Sequence, residues 1–365
     1  MGQAYSVLSP VCNRFDSSLA SESNLLSALH NAYRTGLTQP RRPAANTWKV
    51  GWQKNLKTRS WDKDKLPLAR CAHLFSTARE SAARGEIETS CRLFGEARAW
   101  SNHPELSEEG RIMCRMELAA AEAYLDYYCS DFERAKSRLQ ESMDADQELE
   151  DRFGYYSLHV HRIHLVNNRV KVEARAQRLH EAMALAASVY LYLFKKADSL
   201  PVPGHWGPGY LERLPLDALQ FLCGQLTGEV AAALAGLSPE LAQSGLKVLL
   251  QQVNCNEPNE SWHPDAQAWL QLKALWGREE LLFEYLNHCV GYFAQGPGNG
   301  MVLWYLTTLD VLSACEKLYG VKTSAFKQEV ATGRRDIYTA LLKLLAVHRE
   351  CCRERAGLGQ DDIKR

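Results

Sequence analysis

The chain lacks a charge surplus of either sign: 43 lysines and arginines face 43 aspartates and glutamates over 365 residues. A dedicated nucleic-acid binder carries an excess of positive charge, so none is expected, although a local basic patch is compatible with the total. It lacks a run of eighteen uncharged apolar residues, so no helix is expected to cross a bilayer. It lacks a charged segment followed by a long apolar stretch near residue 1, so no secretory signal is expected. Its 11 cysteines are odd in number, scattered, and never spaced C-x-x-C. Many sit in apolar helical patterns, where a free thiol behaves as a small hydrophobe, which suits a reducing compartment better than a disulfide framework. Only Cys351 and Cys352 stand together, in a polar tail. The expectation is a soluble, intracellular, cytoplasmic protein whose membrane contact, if any, is peripheral on the cytoplasmic face.

Motifs of known chemistry are also missing. There is no H-E-x-x-H, no G-x-S-x-G, no Cys–His signature and no kinase set. His159, His161 and His164 cluster in HVHRIH, but positions two apart do not share a helix face and no carboxylate accompanies them at ligand spacing. The glycine-rich GPGNG at 296–300 matches no phosphate loop and reads as a turn. Six carboxylates between Glu141 and Asp151 lack the spacing of a calcium loop and read as a solvated helix end and loop. No metal, no cofactor and no small-molecule substrate is expected.

What is present begins at the start. MGQAYS fits the M-G-x-x-x-[ST] pattern, making Gly2 a candidate for N-myristoylation, with Cys12 as an alternative palmitoyl acceptor. One acyl chain binds a membrane only marginally and needs a second signal, which a polybasic patch can supply. Between Arg34 and Lys65 there are nine basic residues against two aspartates, with Pro40 and Pro43 discouraging a helix. Trp48, Trp52 and Trp61 are interleaved with Arg41, Arg42, Lys49, Lys54, Lys57 and Arg59. Two readings stay open: an arm whose tryptophans pack on the body, or a surface for anionic lipid or an acidic partner. Before it, ESNLLSALHNAYRTG reads as a short helix.

From about residue 66 apolar residues recur at spacings of three and four and strand-like alternation is nearly absent, so the body is expected to be all-α. Laying Gly85 over Ser130 aligns Ile87 with Phe132, Ser90 with Ala135, Phe94 with Leu139 and Ala97 with Ser142, at a constant offset of 45 residues. Small residues at fixed positions let antiparallel helices approach, and large ones fill the seams. This pattern resembles the tetratricopeptide repeat, whose second helix reads G-x-[YF]-x-x-A-x-x-x-[FL]-x-x-A. Residues 167–186, with Ala174, Leu179 and Ala182, resemble a third copy. The offset exceeds the usual 34, so the repeats would be degenerate. The resemblance implies a right-handed superhelical array of antiparallel helix pairs, a TPR-like α-solenoid. The expected segments are a basic, tryptophan-containing arm (1–65), TPR-like repeats (66–196), a loop rich in proline and glycine (197–215), C-terminal helical repeats (216–352) and a polar tail (353–365). In the C-terminal repeats, Ser238-Pro239 and His263-Pro264 mark helix starts.

The function expected of such an array is that of a non-enzymatic adaptor. It would hold a partner's peptide or helix in a groove, through apolar and aromatic pockets plus charged hydrogen bonds. Groove candidates from register are Tyr124, Tyr128, Arg134, Arg138, His161 and Arg175. The alternatives are a scaffold subunit of a larger complex and an all-helical lyase or transferase. A buried constellation of histidines or carboxylates near 155–210 would favour the enzyme, and a continuous groove without one would favour binding.

Overall fold

Helices start and stop where capping residues put them. Ser107 accepts a hydrogen bond from the Gly110 N–H, Asp131 from the Arg134 N–H, and Ser238, followed by Pro239, from the Leu241 N–H. The computed structural model describes residues 24–39, 62–235, 237–296 and 301–332, and among them every regular element is helical. The elements are α1 (Leu25–Thr38), α2 (Asp62–Ala83), α3 (Ile87–Ser101), α4 (Glu108–Tyr128), α5 (Phe132–Phe153), α6 (Leu158–Arg175) and α7 (Leu179–Leu193). They continue as α8 (Pro208–Leu211), α9 (Leu216–Leu234), α10 (Pro239–Leu250), α11 (Pro264–Leu275), α12 (Leu282–Ala294), α13 (Met301–Tyr319) and α14 (Ser324–Thr332). Gly2, Cys12, the basic residues from Arg41 to Arg59, the interleaved tryptophans, Cys351 and Cys352 lie outside the described residues. All eight cysteines within them are free thiols, six of them buried.

The chain divides into two compact units, residues 45–229 and residues 1–44 with 230–365, and the division falls inside α9. In the mid-chain unit α2 packs on α3, α4 on α5 and α6 on α7, while α2 also packs on α4 and α5 on α6. The first helix of each pair ends in the same turn. Gly85, Ser130 and Gln177 have φ of 78°, 60° and 63°. After each, the N–H of Glu86, Asp131 and Arg178 reaches back five residues to the carbonyls of Ser81, Asp126 and Glu173, at 2.9, 2.9 and 3.0 Å. This is the Schellman arrangement, which satisfies carbonyls a helix end leaves open. Beyond the turn, Ser90, Ala135 and Ala182 are completely buried. Their small side chains let the second helix of each pair lie close to its neighbours. Ser90 donates to the Ala78 carbonyl and Ser142 to the Met116 carbonyl, both at 2.9 Å, so neither buried hydroxyl is left unsatisfied.

A left-handed conformation costs an L-residue about 1–2 kcal/mol and glycine almost nothing. Ser130 and Gln177 are exposed, so replacing either loses no buried contact. Ser130→Gly and Gln177→Gly are each expected to stabilise the protein by about 0.5–1 kcal/mol. Urea unfolding of the two variants checks this; no gain at either turn would contradict the strain argument.

The Pro/Gly-rich loop is pinned within the mid-chain unit. Leu200, Val202, Leu211 and Leu214 are buried. Arg162 on α6, 1 % exposed, donates to the Gln147 side chain at 2.7 Å and to the His205 carbonyl at 3.0 Å, and pairs with Glu150. Its guanidinium lies 5.4 Å from the Trp206 ring and 5.3 Å from the Tyr210 ring. Next to it, His159 takes Arg162 on Nδ1 at 2.9 Å, which leaves the proton on Nε2 to face the Tyr192 hydroxyl at 2.8 Å. Tyr192 in turn donates to the Gly207 carbonyl and accepts from the Gly207 N–H.

The acidic run is therefore not a solvated helix end and loop. Residues 141–151 lie inside α5, where Asp146 and Glu150 are buried because His161 and Arg162 on α6 partner them.

In the terminal unit α1 docks on α12. Tyr33 stacks on Trp304 at 4.7 Å and meets Phe293 and Phe326 edge-on. Lys273 on α11 pairs with Asp310 on α13, its ammonium 3.9 Å from the Trp276 ring. No described helix is long and apolar enough to cross a membrane.

Candidate functional site

Five residues of α6 fall at alternating steps of three and four: His161, His164, Asn168, Lys171 and Arg175. That spacing keeps them on one helix face. Each is half-buried, while Ile163, Val166, Val170 and Val172 around them are buried. The stripe is thus a half-buried polar face of α6. Side chains of α4 meet it on one side and side chains of α9 on the other.

On the α4 side, the Arg175 guanidinium lies 4.5 Å from the Tyr127 ring and 5.9 Å from the Tyr128 ring. The Lys171 ammonium is 5.5 Å from the Tyr127 ring. Tyr124 extends the aromatic wall, 6.4 Å from Tyr128 between ring centroids. On the α9 side, Gln225 bonds His164, and Glu229 lies 3.8 Å from Lys171. Lys171 keeps 30 % of its side-chain surface and Glu229 20 %, so the pair is reachable by solvent. Two aromatic faces beside two cations, with amide and carboxylate groups opposite, can grip a peptide by stacking, hydrogen bonds and charge.

Electrostatics differ along the floor. Burial opposes protonation of His161, but the Asp146 carboxylate 2.8 Å away outweighs it and raises the imidazole's pKa. His164 goes the other way: burial, then the neighbouring His161, brings it down to about 4. Burial likewise works against Lys171, and Glu229 more than compensates, so the ammonium stays charged.

Of the residues picked from register, Tyr124, Tyr128, His161 and Arg175 fall on this groove. Arg134 and Arg138 do not. Arg134 reaches Asp126 at 3.5 Å, and Arg138 pairs with Glu122 and Glu141, each at 2.9 Å. Arg138 lines a surface pocket of about 510 Å³ with Arg98, Arg111 and Arg115. Glu122 and Tyr124 are two residues apart on α4, hence on different faces. Lys171, His164, Asn168, Gln225 and Glu229 were missed. The three–four spacing from His161 to Arg175 would have found the first three; Gln225 and Glu229 carry no comparable signal.

The buried constellation that would favour an enzyme is also there, in the cluster of Glu150, His159 and Arg162. Its chemistry is mostly consumed. His159 is wholly buried and both ring nitrogens are bonded, so only Glu150 of the three reaches a cavity, a pocket of about 430 Å³. Burial, then the Arg162 and Arg213 cations, bring His159 down to about 3. Burial raises Glu150 to about 7 against the pull of Arg162. The two act on stability with opposite signs. Below about 6.5 an unfolded chain protonates His159 while the folded one does not, so this contribution is present above 6.5 and is lost as pH falls toward 3. Glu150 keeps a proton in the fold that the unfolded chain gives up above about 4.3, so its contribution is present below that value and is lost as pH rises through 7. The stability advantage of wild type over His159→Gln is expected to shrink by about 2 kcal/mol between pH 6.5 and 4.5, at roughly 1.4 kcal/mol per pH unit. Urea titrations at the two pH values read it, and parallel profiles would refute it.

Among the described residues no group of three or more His, Cys, Asp or Glu side chains is placed to hold a metal ion. No protein-family model, no curated protein and no solved structure matches the chain.

Proposed function

We propose that this protein is a non-enzymatic adaptor that holds a partner's peptide or helix in the groove formed by α4, α6 and α9. The observation that carries this reading is the half-exposed stripe from His161 to Arg175, walled by Tyr124, Tyr127 and Tyr128. The three turns at Gly85, Ser130 and Gln177 support a further step: the mid-chain unit is a degenerate, TPR-like, right-handed array in which α4 and α6 are first helices facing the concave side. A peptide would lie along the floor, its carbonyls and acidic groups toward Lys171 and Arg175 and its apolar side chains against the tyrosines.

The test is selection of peptides from a random display library on the immobilised full chain. Lys171→Glu and Tyr128→Ala are each expected to weaken the selected peptides at least tenfold, and Arg138→Ala, on α5 where it pairs with Glu122, to leave them unchanged. Peptides that bind Lys171→Glu as well as wild type would remove the groove from consideration.

Membrane association belongs to the same proposal. Acylation of Gly2 and the basic stretch Arg41–Arg59 would together give the two signals that a stable peripheral seat requires. Intact mass of the protein from its native cells reads it directly: loss of Met1 with one added myristoyl group supports the seat, and a free or acetylated terminus removes it.

One observation favours a second reading as an all-helical enzyme, the Glu150 carboxyl poised near neutrality in a pocket. Turnover by the full chain that Glu150→Gln abolishes without loss of stability would support it over the adaptor.

A further inference from the structure

A second, smaller recess lies apart from the groove, between the C-terminal half of α5 and the loop that Arg162 pins down. It encloses about 430 Å³, and its lining includes Glu150, Asp151, Tyr156, Gly209, Tyr210 and Arg213. That volume suits a ligand of amino-acid or diamine size. Glu150 is 3 % exposed; one carboxylate oxygen takes Arg162, and the other is buried with no hydrogen-bond partner among the described residues. A buried acceptor left unfilled is costly, and Glu150 is among the residues that line the recess. Asp151 adds a second carboxylate at the same wall.

The aromatic side of the recess already holds a cation. The Arg213 guanidinium sits 4.5 Å from the Tyr156 ring and 5.8 Å from the Tyr210 ring, with no ion pair of its own among the described residues. Flat aromatic faces select such cations through their quadrupole. The wall beside Tyr210 carries no side chain: a Cβ added at Gly209 would meet nothing within 4 Å. Two carboxylates, one of them with a vacant acceptor, and two phenol rings make a receptor for positive charge.

We propose that this pocket binds a small organic cation, with a primary ammonium or guanidinium group on Glu150 and Asp151 and its body against Tyr156 and Tyr210. Binding is independent of the groove. Arg213 is the resident competitor, leaning over the same rings. The groups that face Glu150 are Asp146 and Asp151 on its own helix, His159 and Arg162 on α6, Tyr192 on α7, and His205, Tyr210 and Arg213 on the loop. Glu150 holds a proton up to about pH 7, chiefly because it is buried. A cation at its free oxygen favours the ionised form, so binding expels that proton and tightens as pH rises.

Isothermal titration of the full chain tests this, with agmatine and 1,4-diaminobutane as probes and glutarate as the anionic comparator. N-acetylarginine amide, run in parallel, distinguishes an arginine side chain presented by a peptide from a free diamine. The cations are expected to bind and glutarate not, with affinity rising at least threefold from pH 6 to 7.5. Tyr156 is 52 % exposed, so Tyr156→Ala leaves the fold intact. It and Asp151→Asn should each weaken agmatine at least fivefold, and Arg213→Ala should strengthen it. Glu150→Gln should flatten the pH dependence. No binding of any cation at millimolar concentration, glutarate binding in their place, affinity that falls with pH, or unchanged affinity in both Tyr156→Ala and Asp151→Asn would each overturn the proposal.

Discussion

At pH 8, where Glu150 is ionised, Arg162→Ala is expected to destabilise the mid-chain unit by about 3–5 kcal/mol, the range for breaking a buried ion pair by removing one partner. The guanidinium is 1 % exposed and ties α5, α6 and the loop together: Glu150 and Gln147 on α5, His159 on its own helix, and the His205 carbonyl on the loop. Alanine leaves the Glu150 carboxyl without its cation, empties a space between Trp206 and Tyr210, and frees the His205 carbonyl. Two readouts separate the terms. Urea unfolding gives the total. Limited trypsinolysis reads the loop, because Lys195, Lys196 and Arg213 flank or lie within it and are exposed. Cleavage there should become much faster than at other sites. The double variant Glu150→Leu with Arg162→Met should recover most of the loss, since apolar replacement of a buried pair is often neutral or better. A single variant as stable as wild type would show that the pair anchors nothing.

Gly36→Ala should be nearly as damaging to the terminal unit, at about 3 kcal/mol, the upper end for overpacking. A Cβ at Gly36 would stand inside the radius of the Phe293 carbonyl oxygen and 3.2 Å from the Gly296 Cα. Both obstacles are backbone, so no rotamer change relieves them. α1 would have to move off α12, and with it Tyr33 would leave its stack on Trp304. Gly95→Ala is the control. Gly95 is an exposed glycine in α3 whose added Cβ would meet nothing within 4 Å, so alanine there should stabilise by about 0.5–1 kcal/mol through helix propensity alone. If Gly36→Ala and Gly95→Ala shift the urea midpoint in the same direction, the close approach of α1 to α12 is not what the packing implies.

The helices were legible because their signals are local. Proline after Ser238 and His263, glycine at Gly85 and Gly154, and apolar residues at three and four mark ends and faces without help from the rest of the chain. The aligned small residues Ser90 and Ala135 were legible for the same reason, since each repeats a position within one helix pair. Ser130 and Gln177 hid the left-handed turns, because neither residue type advertises positive φ as glycine does. Distant relations were not legible. Nothing around Tyr33 says that its partners are Phe293, Trp304 and Phe326, and nothing around Glu150 says that an arginine on the next helix will bury it. Register brings Tyr124, Tyr128, His161 and Arg175 to one stretch of surface, whereas Arg134 and Arg138 belong to α5 and pair with Asp126 and Glu122.

The placement of α1 sets an order on biosynthesis. The most extensive helix contacts in the mid-chain unit join helices that are neighbours or next neighbours in sequence, so each pair can close soon after it leaves the ribosome. α1 is made before the other described helices, yet the aromatic seat for Tyr33 is built from residues of α12, α13 and α14. Until those emerge, Leu25, Leu29 and Tyr33 lack the apolar partners of their own unit that cover them in the fold. That waiting interval is when a nascent-chain chaperone would have most to hold, and when a truncated product would be most prone to aggregate.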